Sequence, residues 1–157
     1  MSHLSRSIRC ATVSDLAFLC KAEAACFPFD AWAEDAILSH LKSPICGALI
    51  VSIGEQPCGY LLYQAIAPEF ELLRVGTLPE CRGCGAGNAL VCALFEKVKA
   101  LGATEGFLEV RASNQAARRL YEKNGYTLCG ERKNYYKNPT EHAALYEISL
   151  KDDKENV

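Results

Sequence analysis

No apolar run in this sequence approaches the roughly 18 residues that a membrane span requires, and Met1 to Ser7 lacks the long apolar stretch of a secretory signal. A cytosolic protein is expected. Nor does one sign of charge dominate: 17 Lys plus Arg stand against 19 Asp plus Glu, a formal net charge of −2. That balance provides no global basic field for nucleic acid or an anionic membrane, so any anion has to be bound locally. Internal repeats and linker-like stretches are absent too. The 157 residues suit a single domain, expected over residues 1–150, followed by a polar tail at 151–157 that is expected to be disordered.

Cysteine is plentiful, with nine residues. The odd count and their placement in apolar segments such as Cys46 to Val51 argue for reduced core thiols. Cys81 and Cys84 form one C-x-x-C, but no second Cys/His pair completes a four-ligand zinc site, so no metal is expected. A disulfide between those two would force a small ring onto the loop they occupy.

Ser7 to Thr12 reads as a strand. Ser14 can cap a helix carrying Leu16, Leu19, Ala22 and Cys26, and Asp30 can cap a second helix that Pro44 ends. Cys46 to Ile53 and Cys58 to Ile66 are strand-like runs joined as an antiparallel hairpin by Gly54 to Pro57, and Glu71 to Leu78 forms a third strand. A glycine-rich loop then opens a helix with Leu90, Leu94, Val98 and Leu101 on one face. Phe107 to Val110 is a strand, Ser113 or Asn114 caps a helix bearing Ala117, Leu120 and Tyr121, and two strands close the chain. The order β-α-α-β-β-β-α-β-α-β-β predicts an α+β fold with a mixed sheet.

The segment Arg82 to Gly87 joins a strand to a helix N-terminus, so successive backbone N–H groups and the helix dipole can converge on a phosphate. It has neither the lysine of a P-loop nor the spacing of a dinucleotide-binding fingerprint. Taken alone, a tight structural turn explains the glycines equally well. Glu109 lies between Leu108 and Val110 on a strand, so it points away from their face; it is either a solvated carboxylate or a base. Tyr121, seven positions after Asn114, lies two helical turns along one face and suits packing as well as chemistry.

The Arg82 to Gly87 loop, together with Leu108 to Asn114, Arg119 to Tyr126 and Arg132 to Tyr136, resembles the GNAT acetyltransferases, and among them the bacterial ribosomal-protein alanine N-acetyltransferases. The resemblance spans most of residues 7 to 150. It implies a mostly antiparallel sheet of six or seven strands flanked by about four helices, and acetyl-CoA as co-substrate. It assigns Val75, Gly76 and Thr77 to the acyl-pantetheine arm; Arg82, Gly83, Cys84, Gly85, Ala86, Gly87 and Asn88 to the pyrophosphate; and Asn114 and Tyr121 to further cofactor contacts. Glu109 becomes the general base and Tyr121 the acid that protonates the departing thiolate. Tyr135 and Tyr136 line a slot for the first residues of a peptide, and Phe27, Pro28, Phe29 and Trp32 form the facing wall. His142 stands where the resembled enzymes carry an acidic residue. The implied acceptor is a protein N-terminus, the N-terminal alanine of a small-subunit ribosomal protein. A lysine ε-amine, a polyamine or another small amine, and a non-catalytic acyl-CoA-binding module, stay open as alternatives.

Overall fold

The computed structural model describes residues 5–151. In chain order the elements are β1 (Arg6–Cys10), α1 (Leu16–Cys26), α2 (Glu34–Lys42), β2 (Cys46–Ile53), β3 (Gln56–Ile66), β4 (Glu69–Thr77), α3 (Ala86–Ala100), β5 (Glu105–Arg111), α4 (Gln115–Lys123), β6 (Thr127–Tyr136) and β7 (Glu141–Ser149). That is the expected order and the expected α+β class. Of the polar tail, residues 152–157 lie outside the described residues. No helix among the described residues is long and apolar enough to cross a membrane.

One seven-stranded sheet runs β1-β2-β3-β4-β5-β7-β6, antiparallel throughout except between β4 and β5. Its two faces bury separate clusters. Leu90, Val91, Leu94 and Val98 recur at helical spacing on α3 and pack onto Leu49, Val51, Leu61 and Leu72. Leu19 and Ala22 of α1 and Ile37 of α2 cover Ala48, Ile50, Tyr60 and Leu62 on the other face. With both faces buried, β2 and β3 read as continuous apolar runs, while β6 at the sheet edge is mostly exposed.

Two helix starts differ from expectation. Ser14 lies inside a 3-10 turn, Val13–Asp15, that leads into α1. Here Asp15 accepts from the Thr12 N–H at 2.8 Å, and the Arg9 guanidinium bound to Asp15 holds that carboxyl down at about 2. Asp30 does not cap α2, whose N-cap is Ala33. Its carboxylate faces two guanidiniums instead, Arg111 at 3.1 Å and Arg74 at 3.6 Å, a stronger demand than a backbone N–H.

The buried charge of this fold is Glu23, 1% exposed on α1. A carboxylate survives burial only when donors surround it, and here the Trp32 N–H donates at 2.7 Å, Arg74 Nη2 lies at 2.7 Å, and the Tyr60 hydroxyl donates as well. Burial first, and then the Glu23 charge, push the Tyr60 phenol far up, which keeps it a donor. Glu23→Gln should lower unfolding stability by about 2 kcal/mol, because Arg74, largely buried, loses the nearer of its two counter-charges and keeps only Asp30 at 3.6 Å. An unchanged urea midpoint would show that the pair contributes nothing net.

Candidate active site

Strands β4 and β5 pair only from Glu69 to Glu71 against Glu105 to Phe107. A β-bulge on β4 interrupts its register with β3 between Leu62 and Tyr63, where Leu73 is the extra residue. Beyond Glu71 the two strands part, and the β4 backbone groups facing β5 have no strand partner. A groove and a cavity open into that notch.

The groove, about 460 Å³, is lined by Val75, Gly76 and Thr77 on one side and by Arg82, Gly83, Gly85, Ala86 and Gly87 on another, with Asn114, Ala116, Ala117 and Leu120 closing it. Gly83 and Gly85 adopt φ of +82° and +81°, a region that glycine enters without strain. Gly85 is the N-cap of α3 and supplies no side-chain cap, so the N–H groups of the first turn are left for another acceptor. Arg82 Nε donates to the Thr77 carbonyl at 3.2 Å and ties the loop to β4. Two of the residues assigned to the pyrophosphate, Cys84 in the loop and Asn88 in the first turn of α3, turn elsewhere. The Cys84 carbonyl accepts from Arg6 Nη1 at 3.1 Å, and Asn88 Oδ1 accepts from Asn124 Nδ2 at 2.9 Å, bracing α3 against the end of α4.

The cavity, about 260 Å³, holds Phe27, Pro28, Phe29 and Asp30 from the α1–α2 connection, Arg74 and Val75 from β4, Glu109 and Arg111 from β5, and Tyr121, Tyr136 and Glu141. Cys26, Phe27, Val75, Asn114 and Ala117 line both spaces, so the two meet at these residues. Asn114 has a local task as well, its Oδ1 accepting from the Ala117 N–H at 3.1 Å as the cap of α4.

Glu109 projects from β5 opposite the buried Leu108 and Val110, and Arg132 Nε holds its Oε1 at 3.0 Å. Tyr121 is 5% exposed, edge-on to Tyr126 at 5.8 Å between ring centroids. It lines the cavity, not the groove. Burial, with Tyr136 adding to it, pushes its phenol up, so the hydroxyl keeps its proton at neutral pH. Tyr136 is pushed up to about 12, first by burial and then by Glu109. Tyr135 is not a cavity residue: it sits at the rim, 48% exposed, its phenol raised chiefly by the Glu109 charge and its ring beneath Arg132.

Trp32 is not on the wall where the sequence reading put it. Its ring packs edge-on to buried His40, 5.8 Å between centroids, within the α1–α2 core. Cys81 and Cys84 are free thiols, as expected: Cys84 Sγ donates to the Cys81 carbonyl at 2.6 Å while Cys81 Sγ lies 2.8 Å from Cys58 Sγ. His142 has little bearing on the cavity, because its Nδ1 accepts from the Asn134 N–H at 2.9 Å across the β6–β7 hairpin, and Glu141 is the residue turned inward.

Sequence reasoning missed the residues that hold this cavity together. Arg74 stacks on Phe27, 3.7 Å from its ring centroid, and donates to the Asp30 carbonyl at 2.6 Å. Arg111 pairs with Asp30, covers the Tyr136 ring at 4.6 Å, and donates to the Lys137 and Pro139 carbonyls at 2.9 and 3.0 Å. The available signal was an arginine within the Leu108 to Asn114 segment and another flanked by Leu72, Leu73 and Val75 on β4.

The family model described as the acetyltransferase (GNAT) family matches residues 16–126 of this chain. The chain belongs to the GNAT acetyltransferases. Members of this family take their acetyl group from acetyl-CoA. Among curated relatives, the ribosomal protein bS18-alanine N-acetyltransferase of Haemophilus influenzae is 40% identical over 54% of this chain and 58% of its own length. A Bacillus subtilis relative, named as a putative enzyme of the same kind, is 27% identical over 93% of this chain and 97% of its own. The crystal structure of the Escherichia coli ribosomal-protein-S18-alanine N-acetyltransferase superposes with a TM-score of 0.88 at 25% identity, covering 98% of this chain and 99% of that one. A GNAT enzyme must bring a CoA thioester and an amine together, and here a groove and a cavity adjoin at the β4–β5 notch.

Proposed function

We propose that this GNAT enzyme acetylates the N-terminal α-amino group of a protein in the cytoplasm, and that its acceptor is the N-terminal alanine of a ribosomal protein, as the names of its relatives suggest. One observation carries the reading: the phosphate-sized glycine cradle and the acceptor cavity meet at Val75 and Asn114, with a carboxylate, Glu109, on the acceptor side.

The cradle fits the donor. Gly85 in the left-handed region and the uncapped start of α3 present N–H groups to a pyrophosphate, with Arg82 adding charge, and Val75 to Thr77 offer backbone groups to the pantetheine arm. Bound there, acetyl-CoA supplies an activated acyl group. The β4 amides that β5 leaves unpaired can donate to a carbonyl oxygen as negative charge builds on it. Glu109 accepts a proton from the incoming ammonium, directly or through water, and Arg132 fixes the position of its carboxylate. Tyr121 presents a protonated hydroxyl for the leaving sulfur.

An α-amino group loses its proton near pH ~8. Glu109→Gln should therefore depress kcat/KM most at neutral pH, and the gap to the parent enzyme should narrow as the pH rises past that value. Full activity with an unchanged pH profile removes Glu109 from the mechanism. The acceptor itself is tested with short peptides that differ only in the first residue, reading release of free CoA. A preference for alanine supports the reading, whereas better use of a lysine side chain or a polyamine overturns it.

A further inference from the structure

The face of the sheet that carries Glu109 is covered by α1 and α2 only over β2 to β4. Among the described residues it is open around Phe107, where the N-terminal end of β4, the start of β5 and the end of β7 adjoin. Residues opposite one another in register share a face, and the register aligns Glu69 with Glu105, Glu71 with Phe107, and Phe107 with Glu147. On the flanking strands Ile66 lies opposite Glu69, and Thr127 lies opposite Glu147. Phe107 is 40% exposed and Ile66 57% exposed. Two shallow hollows meet at Phe107, one bounded by Glu69 and Glu71 and the other by Glu105 and Glu147.

This face continues the acceptor cavity. Glu71 is close enough to Glu109 that the two carboxylates repel, and burial followed by that repulsion raises the Glu71 carboxyl. The basic groups bordering the face are Arg132, committed to Glu109 at 3.0 Å, and Lys151, 3.9 Å from Glu105. Among the described residues, four carboxylates around two exposed apolar side chains thus have Lys151 as a loosely held counter-charge, beside an Arg132 already bound to Glu109. A lysine or arginine suits such a surface, since its methylene stem can lie over Phe107 and Ile66 while its charged end reaches a carboxylate.

We propose that this open face is a docking surface for a basic stretch of the acceptor polypeptide downstream of its N-terminus. The inference rests on the reading that the acceptor amine reaches Glu109. From Glu109 to Glu105 is four residues along β5, about 13 Å at ~3.3 Å per residue. An extended acceptor leaving the cavity covers that distance in about four residues, which puts the fourth to seventh side chains over the carboxylates.

The test uses two peptides with the same first three residues, one carrying Lys and Arg at positions four to seven and the other Ser and Ala. The parent enzyme should favour the basic peptide about tenfold in kcat/KM at low salt, through KM, and the preference should shrink as salt screens exposed charges. The double variant Glu105→Gln, Glu147→Gln should lose the preference and acetylate the neutral peptide as the parent does. Glu105→Lys with Glu147→Lys should favour a peptide carrying Asp and Glu at the same positions. Fluorescence anisotropy of the basic peptide with its N-terminus already acetylated reads the surface without turnover. Failure of acetylation with docking intact would count against the proposed reaction alone. Equal treatment of both peptides with equal anisotropy, a double variant that keeps the preference, or sedimentation showing this face covered by a second copy would overturn the proposal.

Discussion

Gly85→Val should remove detectable CoA binding, a loss of at least ~10²-fold in affinity, while lowering stability by only about 1–2 kcal/mol. The asymmetry follows from geometry. A side chain at φ of +81° is strained, and its Cβ would approach Arg6 Nη1 to 2.4 Å. That neighbour is the far end of an exposed, flexible side chain and can move aside, so the core is untouched. The backbone cannot be spared in the same way. Relieving the strain turns the peptide planes at the start of α3, and these carry the N–H groups meant for the phosphates. Isothermal titration with CoA, alongside a urea melt, separates the two effects. Undiminished affinity in a folded variant would take the pyrophosphate away from this loop.

Tyr121→Phe should cut kcat by roughly 10²-fold or more and leave the affinity for acetyl-CoA within a few-fold. The ring's packing against Tyr126 and Tyr146 survives the substitution, so the change isolates the hydroxyl. A phenol raised above its ordinary value by burial is a weaker acid than a free thiol. Its contribution is therefore a hydrogen bond that strengthens as charge builds on the departing sulfur, the phenol keeping its proton and the released thiolate taking one from water. Pre-steady-state mixing, which separates chemistry from product release, is the appropriate measurement. Retention of kcat by the phenylalanine variant would return Tyr121 to the core.

The glycine loop, the element order and the outward-facing Glu109 were legible because each is local: a turn, a period of two, a strand followed by a helix. The Glu23, Tyr60 and Arg74 cluster was not. Its members come from α1, β3 and β4, far apart in sequence, and a glutamate on a helix reads as solvated until the fold encloses it. Trp32 went astray for a related reason. An aromatic residue in a connection can face a ligand or the core, and here the bond from its N–H to Glu23 draws it inward. Asp30 looked like a helix cap because the arginines that claim its carboxylate lie on β4 and β5, where no local pattern reveals them.

The parting of β4 and β5 also bears on cooperativity. The strand ladder between the sheet's two halves, β1 to β4 on one side and β5 to β7 on the other, is only three residue pairs long. A ligand in the groove touches both halves at once, Val75 to Thr77 on the first, Asn114 and Ala117 beside the second. Bound there as proposed, it would act as a keystone, its free energy of binding also holding the halves in register. If the notch admits the substrates as proposed, saturating acyl donor should raise the unfolding midpoint, the loaded molecule being the tighter of the two states.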